Sequence, residues 1–259
     1  MEKIRSLVMR FIFLLIISSF ASATMAQNTT FFIGERLDYK FKYGFVGMGE
    51  GSLEVRELLD PYMGKPVLHL VASGRTAPMA DVFVKMRNRY DSYIDTNTLL
   101  PVLYQENVKE GSYTRNGYLV FQRDDSVVFD HKGKNFEIGP ETMDIISYFY
   151  KFRTVFAESL KIDSIYSNSC FLMDELFEVS FRFLGTDKIR TKFGRVECLV
   201  IQPIIPAGSV FVDDENARIW ITNDKNKVPV KVKIELLFGS ITAVLTEYDG
   251  LLNESLLDD

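Results

Sequence analysis

Few side chains in this sequence have the types and spacing that catalysis or metal binding requires. The two histidines, His69 and His131, and the two cysteines, Cys170 and Cys198, are far apart along the chain and give no zinc-ligand spacing. No serine occurs in a G-x-S-x-G motif, and the acidic runs between apolar segments match no calcium loop. We therefore predict no catalytic residue, no metal ligand and no cofactor, and we do not expect an enzyme.

One segment places two arginines on the same side of a strand. In MRNRYDSYID (86–95), Arg87 and Arg89 share a parity with Asp91. Two neighbouring guanidinium groups suit an anionic group, which they bind through paired, charge-assisted hydrogen bonds. The same row also suits a solvated strand face with cross-strand ion pairs. Arg87 and Arg89 are thus candidate anion contacts, and both interpretations remain open.

The two cysteines allow two interpretations as well. Cys170 and Cys198 each lie in an apolar segment. In an oxidising compartment a disulfide between them would contribute roughly 3–4 kcal/mol in the chain-entropy model. Two buried thiols, packed as small apolar side chains, explain the same pattern. The sequence alone does not choose between the two.

The N-terminus has the pattern of a secretory signal peptide. Three basic residues precede the apolar stretch FIFLLIISSFASA, and small residues follow it. The apolar run 11–20 is shorter than the ~20 residues of a membrane-spanning helix. We predict cleavage after Ala26, with Ala23 as the alternative, and export to the periplasm or cell envelope as a soluble or peripherally attached protein.

The charge of the chain excludes one class of partner. The full sequence has 30 Lys and Arg against 35 Asp and Glu, a net charge of −5. Removing residues 1–26 takes away three basic side chains and one acidic side chain, which leaves −7. Nucleic-acid binding depends on neutralising phosphates, so we predict no nucleic-acid partner. The sequence also contains no basic block that would attract an anionic membrane.

Most of the sequence alternates apolar and polar residues with the period of two that indicates β-strands. In KVPVKVKIELLF (227–238), the valines and Ile234 fall on one parity and the lysines on the other. About a dozen such segments are separated by clusters of Gly, Asn, Asp and Pro, several short enough for hairpins. We predict a mainly β protein whose antiparallel meander forms a strongly curved sheet, a half-barrel or a barrel-like sandwich.

One segment has helical periodicity instead. In GPETMDIISYFYKFRTVF (139–156), Ile145, Phe149, Phe152 and Phe156 recur at the spacing of one helix face. We expect this amphipathic helix to begin near Pro140 and to pack on the concave face of the sheet.

No repeat or change in composition divides the chain further. We therefore predict a signal peptide (1–26), a single β-rich domain (27–250) and a flexible acidic tail (251–259).

Long ordered segments resemble an exported bacterial family of unknown function, DUF3108. The resemblance is carried by GERLDYKFKYGFVGMGEGSLEV, HLVASGRTAPMADVFVKMRNRYDSYIDTNTLLP, MDIISYFYKFRT and IWITNDKNKVPVKVKIELLFGSITAVL. It implies an envelope-associated, β-rich protein, and it implies no catalytic residues.

The sequence supports two functional hypotheses. The first is a non-catalytic binding module or carrier for a lipid or another apolar small molecule, held between the apolar strand faces and the helix. The candidate lining residues are Phe149, Phe152, Phe177, Val179, Phe181, Phe183, Val230, Val232 and Ile234. The second is a structural or assembly protein of the envelope, which would bind a protein partner through its edge strands or turns.

Overall fold

The computed structural model describes residues 30–58, 61–62, 64–155, 160–172, 175–204, 217–236 and 238–257. The signal peptide predicted for residues 1–26 lies outside these ranges. The described part of the chain contains no helix with the length and apolar character of a membrane span.

The described residues form fourteen strands and one helix. In chain order the elements are β1 (Arg36–Tyr43), β2 (Val46–Glu57), β3 (Val67–Thr76), β4 (Arg87–Asp95), β5 (Pro101–Glu110), β6 (Tyr113–Gln122), β7 (Val127–Asp130), β8 (Asn135–Glu137), α1 (Ile145–Val155), β9 (Ile165–Leu172), β10 (Glu175–Thr191), β11 (Gly194–Ile204), β12 (Ala217–Thr222), β13 (Pro229–Glu235) and β14 (Ser240–Asp249).

All the strands belong to one antiparallel sheet that is not closed. The strand order is β8-β7-β6-β5-β4-β3-β2-β1-β14-β13-β12-β11-β10-β9. Two meanders, β1–β8 and β9–β14, therefore meet where β1 pairs with β14, and the free edges are β8 and β9. The prediction of a mainly β antiparallel meander in a curved, barrel-like sheet is confirmed.

Helix α1 begins at a buried cap between the two free edges. The carboxylate of Asp144 accepts hydrogen bonds from the backbone N–H groups of Ile146 (2.8 Å) and Ser147 (2.9 Å). It also accepts a 2.7 Å hydrogen bond from the hydroxyl of Ser92 on β4. Burial raises the pKa of Asp144, although these donors act in the opposite direction. The predicted start near Pro140 is therefore wrong, because the capping carboxylate lies four residues later.

The helix packs on the inward face of the sheet, as expected. Ile146 and Tyr150 belong to one cluster with Leu68 and Leu70 of β3 and Ile94 of β4. These strand residues lie towards the start of β3 and the end of β4, so the helix covers one half of the inward face. The other half, towards the β3–β4 connection, is left without a helix.

A buried ion pair fixes the end of the helix. The guanidinium of Arg153 donates to both carboxylate oxygens of Glu35, at 2.6 and 2.7 Å, and both side chains are fully buried. It also donates to the carbonyl of Asn226, at 2.8 Å. Desolvation alone would lower the pKa of Arg153, but the contact with Glu35 outweighs it and the pKa is raised.

The C-terminal segment packs against the sheet, contrary to the prediction of a flexible tail for residues 251–259. Leu257 is 4% exposed and joins the cluster of Val196, Cys198 and Val200 on one face of β11. The carboxylate of Asp224 accepts the backbone N–H of Leu256. Because β11 is apolar on both faces, it needs a cover on the side away from the helix. Residues 251–257 are part of that cover, whereas residues 258–259 lie outside the described ranges.

Two parts of the sheet are not evident from alternation alone. Residues 126–138 form the hairpin β7–β8, which turns at Asp130–Gly133. Strand β9 was missed, because Ser167, Asn168 and Ser169 interrupt its apolar pattern. Its pairing with the long strand β10 supplies what the local sequence lacks.

Both cysteines are free and buried. Cys170 on β9 lies opposite Phe177 of β10, whereas Cys198 on β11 lies opposite Asp187 of β10. Ten residues of β10 correspond to roughly 30 Å at ~3.3 Å per residue, which is far beyond the reach of a disulfide. Of the two interpretations that the sequence allowed, the structure has the two buried thiols.

We predict that Arg153→Met destabilises the protein by about 3–5 kcal/mol, because the substitution leaves the carboxylate of Glu35 buried without its partner. Urea unfolding followed by circular dichroism measures the loss. The matched control is Arg75→Met, whose ion pair with Glu50 is 64% and 51% exposed. That control should cost less than about 1 kcal/mol. Equal losses in the two variants would contradict the buried pair.

We also predict that neither thiol reacts with an aromatic disulfide reagent at pH 8 in the native protein. Burial raises the pKa of Cys170 and of Cys198 to about 12, so the reactive thiolate is scarce. In denaturant without reductant, two thiols per chain should react. A count of zero under those conditions would show a disulfide.

Candidate functional site

Small residues occupy the half of the inward face that the helix does not cover. Along β3, Leu68 and Leu70 pack under the helix, whereas Ala72 and Gly74 follow on the same face. In β2, Gly49 and Gly51 replace the large side chains that Leu53 and Val55 place further along. Because these two strands are adjacent, their small residues lie side by side and leave a space.

That space is an apolar cavity of about 540 Å³. Strands β1 to β4 form its floor, and the connection from residue 77 to residue 86 lies over one side. Carbon atoms form almost all of the exposed lining. The principal lining side chains are Phe41, Tyr43, Met48, Ala72, Thr76, Ala80, Phe83, Val84, Met86, Tyr90 and Ile241. A cavity of this size is within the range of small-molecule sites.

Two of the glycines have different roles in the floor. A Cβ on Gly51 would lie 2.6 Å from the carbonyl of Ser73 and 2.8 Å from the ring of Phe41, so only glycine permits this approach. At Gly74 a Cβ would meet only the ring of Phe41, at 3.8 Å, which is an ordinary contact. Gly51 therefore lets Phe41 lie flat on the floor, whereas Gly74 leaves open space above it.

An ion pair anchors the connection over the cavity. Asp81 accepts two hydrogen bonds from the guanidinium of Arg87, at 3.1 and 2.7 Å, and another from the hydroxyl of Thr76. These donors lower the pKa of Asp81. Ala80, which is 3% exposed, then points its methyl group into the cavity lining. Because Thr76 ends β3 and Arg87 begins β4, the anchor sets the position of the connection relative to the floor.

A second pocket, of about 360 Å³, shares Tyr90 with the apolar cavity. Glu106 and Arg115 form an ion pair in it, and the hydroxyl of Tyr104 donates to Glu106 at 3.4 Å. Glu110 and His131 also contribute polar groups to its lining. Tyr90 is thus the boundary between an apolar compartment and a compartment with hydrogen-bonding groups.

The structure does not bring the nine lining candidates of the sequence together. Phe152, Phe181 and Phe183 form a closed cluster with Leu199, Ile201 and Ile221, and the ring centroids of Phe152 and Phe181 are 3.9 Å apart. These three phenylalanines are core residues.

The other six candidates are dispersed. Val230 is buried in the cluster of β11 and the C-terminal segment, and Phe149 packs at the edge of the helix cluster. Val179, Val232 and Ile234 are half-buried, and Phe177 is 36% exposed. None of the nine lines the two pockets described above. Alternation identifies apolar faces, but it cannot show which of them lie under the helix and which stay open.

The signal that would have found the cavity is the glycine pattern. GMGEGSLEV and VASG place small residues at alternate positions of two adjacent strands. At Gly51 the glycine permits close contact with the backbone of Ser73. That these small residues lie side by side becomes evident only from the register of β2 with β3.

Arg87 and Arg89, the candidate anion contacts, are both in ion pairs. Arg87 binds Asp81, and Arg89 binds Asp91 through two hydrogen bonds of 2.8 and 2.6 Å. Both arginines line a polar groove of about 790 Å³. Their carboxylate partners already neutralise them, an arrangement that matches the alternative of a solvated strand face.

One histidine lies beside a carboxylate. Nε2 of His69 is 2.7 Å from Asp91, which also binds Arg89. Burial opposes ionisation of Asp91, but these two partners outweigh it and lower the pKa. Among the described residues no hydroxyl is hydrogen-bonded to His69, and no three His, Cys, Asp or Glu side chains converge as metal ligands do. The contact between His69 and Asp91 therefore joins β3 to β4, and no described hydroxyl is hydrogen-bonded to the histidine to act as a nucleophile.

Among the similar solved structures, the first supports the fold. A β-barrel-like protein of the domain of unknown function DUF1849 from Brucella abortus is 11% identical, with a TM-score of 0.55, over 85% of this chain and 98% of that one. A putative exported protein with a YmcC-like fold from Bacteroides fragilis is 10% identical, with a TM-score of 0.37, over 85% and 97%. The hypothetical protein CT021 from Chlamydia trachomatis is 8% identical, with a TM-score of 0.36, over 87% and 91%.

The sequence comparisons define the family. No curated protein sequence matches this chain. The model of the family described as protein of unknown function DUF3108 matches residues 38–246, from β1 to β14, and confirms the resemblance seen in the sequence. The chain belongs to the DUF3108 family.

Proposed function

We propose that this protein is an exported, non-catalytic binding module that carries an apolar or lipid-like small molecule in the cavity over β1 to β4. The observation that carries the proposal is a cavity of about 540 Å³ whose exposed lining is almost entirely apolar. An empty apolar surface of this size is unfavourable in water, and a ligand that covers it removes that cost.

The size of the cavity limits the affinity. A ligand that buries roughly 300 Å² of apolar surface gains on the order of 7 kcal/mol at ~25 cal/mol per Å². That gain alone corresponds to a dissociation constant of about 10 μM, and the loss of translational and rotational freedom weakens binding further. Weak binding of this kind suits a carrier, because the ligand must also be released.

The second pocket indicates an amphipathic ligand. Tyr90 contacts both compartments, so a molecule that passes Tyr90 would place its apolar part over Gly74 and its polar end near Glu106 and Arg115. The ion pair of these two residues is neutral as a unit, and Glu110 adds a carboxylate that accepts a hydrogen bond from the amide of Asn88. Hydroxyl and amide groups, which can donate to these carboxylates, therefore fit the pocket better than an anionic group.

The signal-peptide pattern of residues 1–26 supports a location in the periplasm or envelope. In that compartment an apolar molecule has to cross water between membranes, and a cavity of this kind shields it.

The second hypothesis, assembly with an envelope protein by strand addition, would use the free edges of the sheet. Strand β8 has only three residues, and Met143 pairs with β9 through the backbone of Ser169 and Phe171. Both edges are thus short or partly occupied, which makes strand addition less favourable. The apolar cavity is a separate reason to prefer the binding module.

Native mass spectrometry of the protein purified from its envelope fraction tests the proposal directly. We expect a bound species of constant mass at about one per chain, recovered as an apolar or amphipathic molecule in an organic extract. Bare protein under gentle ionisation, together with no uptake of added lipid, would contradict the carrier.

We predict that Gly74→Leu weakens binding of the apolar fluorophore N-phenyl-1-naphthylamine at least about tenfold, because the new side chain fills the space above Phe41. A fluorescence titration measures the affinity, and urea unfolding shows that the variant is folded.

The matched control is Gly47→Leu, since a Cβ on Gly47 meets no atom within 4 Å and this residue does not line the cavity. The control should bind as the unsubstituted protein does. Equal affinities for all three proteins would place the fluorophore elsewhere.

A further inference from the structure

The mouth of the cavity is surrounded by exposed apolar side chains from three connections. The β1–β2 turn contributes Phe45, which is fully exposed, and the β13–β14 turn contributes Phe238, which is 81% exposed. The β3–β4 connection contributes Phe83, which is 82% exposed. We name this surface the apolar rim, and its members are Tyr43, Phe45, Val46, Met79, Val82, Phe83, Val84, Phe238 and Ile241.

The pairing of the strands brings these connections together. Tyr43 is paired with Ile241, and its hydroxyl donates to the carbonyl of Phe238. The backbone N–H of Ala77 donates to the carbonyl of Met48, which joins the β3–β4 connection to β2. Tyr43, Phe83, Val84 and Ile241 also line the cavity, so the rim is continuous with its interior.

The rim consists of protruding tips rather than a groove. Each of the three connections presents one phenylalanine that contacts little of its own protein. Separate aromatic tips can enter a lipid layer without matching a particular shape. Soluble proteins rarely expose this much apolar surface in one place without a function.

The charges around the rim favour an anionic surface. Lys42 and Lys85 are exposed beside Tyr43 and Val84, and neither forms a salt bridge with a described residue. Among the acidic side chains nearby, Asp81 is paired with Arg87 and Glu235 with Lys233, whereas Glu110 accepts a hydrogen bond from the amide of Asn88. The predicted mature chain carries a net charge of −7, so any attraction to anionic lipid is local to this end. Lys42 and Lys85 supply that attraction beside the cavity mouth.

We propose that the apolar rim docks on an anionic lipid surface, with Phe45, Phe83 and Phe238 inserted among the lipids and the cavity mouth facing the membrane. The docked orientation gives an apolar ligand a path between bilayer and cavity that avoids water. The proposed function supplies the ligand, but docking can be measured without one.

Sedimentation of the protein with large unilamellar vesicles tests the docking. The vesicles contain either phosphatidylethanolamine with phosphatidylglycerol, or phosphatidylcholine alone. We expect binding to the anionic vesicles that weakens as NaCl is raised from about 50 to about 300 mM. The double variant Phe45→Ser, Phe238→Ser should reduce that binding roughly tenfold or more, because its side chains no longer enter the lipid.

Two further variants separate the contribution of the lysine charges from that of the exposed apolar side chains. Lys42→Glu with Lys85→Glu should weaken binding to the anionic vesicles and leave its salt dependence reduced. Ile162→Ser with Ile165→Ser is the matched control, since it removes two apolar side chains, 66% and 54% exposed, at the start of β9 and in the turn before it, which are not part of the rim. This control should bind as the unsubstituted protein does.

The possible failures are distinguishable. If the rim variants and the control bind vesicles equally, or if no protein sediments, the docking proposal is overturned. A change from dimer to monomer in the Phe45→Ser, Phe238→Ser variant, without vesicle binding in the parent, would assign the rim to self-association instead. Gly74→Leu should still dock while it loses N-phenyl-1-naphthylamine. The Phe45→Ser, Phe238→Ser variant should lose vesicle binding and still bind the fluorophore. Vesicle docking and ligand binding can therefore be tested separately, and the failure of one proposal does not decide the other.

Discussion

The pairing of β1 with β14 is the contact on which the rest of the structure depends. It joins residues about two hundred positions apart and unites two meanders into one sheet of fourteen strands. Each meander pairs strands that are neighbours in the sequence, whereas this pairing closes a loop of about two hundred residues and makes the two meanders one sheet. It also places the β1–β2 turn beside the β13–β14 turn, and it leaves β8 and β9 as the two free edges.

Helix α1 begins between the two free edges of the sheet, and it covers only one half of the inward face. Asp144 caps α1 between the edges, and the Arg153–Glu35 pair fixes its other end against the N-terminal segment. Half of the inward face is then filled by side chains of the helix. The other half carries Gly49, Gly51, Ala72 and Gly74, which cannot fill it, so a cavity remains. The empty space thus results from two separate causes, a helix of limited length and a row of small residues.

The charged side chains of this half of the sheet are paired. Arg87, Arg89 and Arg115 are each paired with a carboxylate, and His69 is hydrogen-bonded to Asp91. The His69–Asp91 contact joins β3 to β4, and the Arg115–Glu106 pair joins β5 to β6. The surface that remains uncovered is apolar, both inside the cavity and on the rim around its mouth, and for this reason we propose a hydrophobic molecule as the partner.

The sequence by itself determined the fold class, the single inward-packed helix and the membership of the family, because period-two and helical patterns report local burial. The sequence did not reveal β9, because the polar residues at its centre are compensated by pairing with β10. It also did not reveal the packing of residues 251–257, which cover the second apolar face of β11. The nine lining candidates were apolar, as the pattern indicated, yet the structure placed three of them in a closed aromatic cluster and dispersed the others. Whether an apolar residue packs on the helix, packs on another strand or lines a space depends on long-range register. The site at Gly74 was therefore decided by tertiary structure alone, since glycine leaves a cavity only where its neighbours across the sheet are small as well.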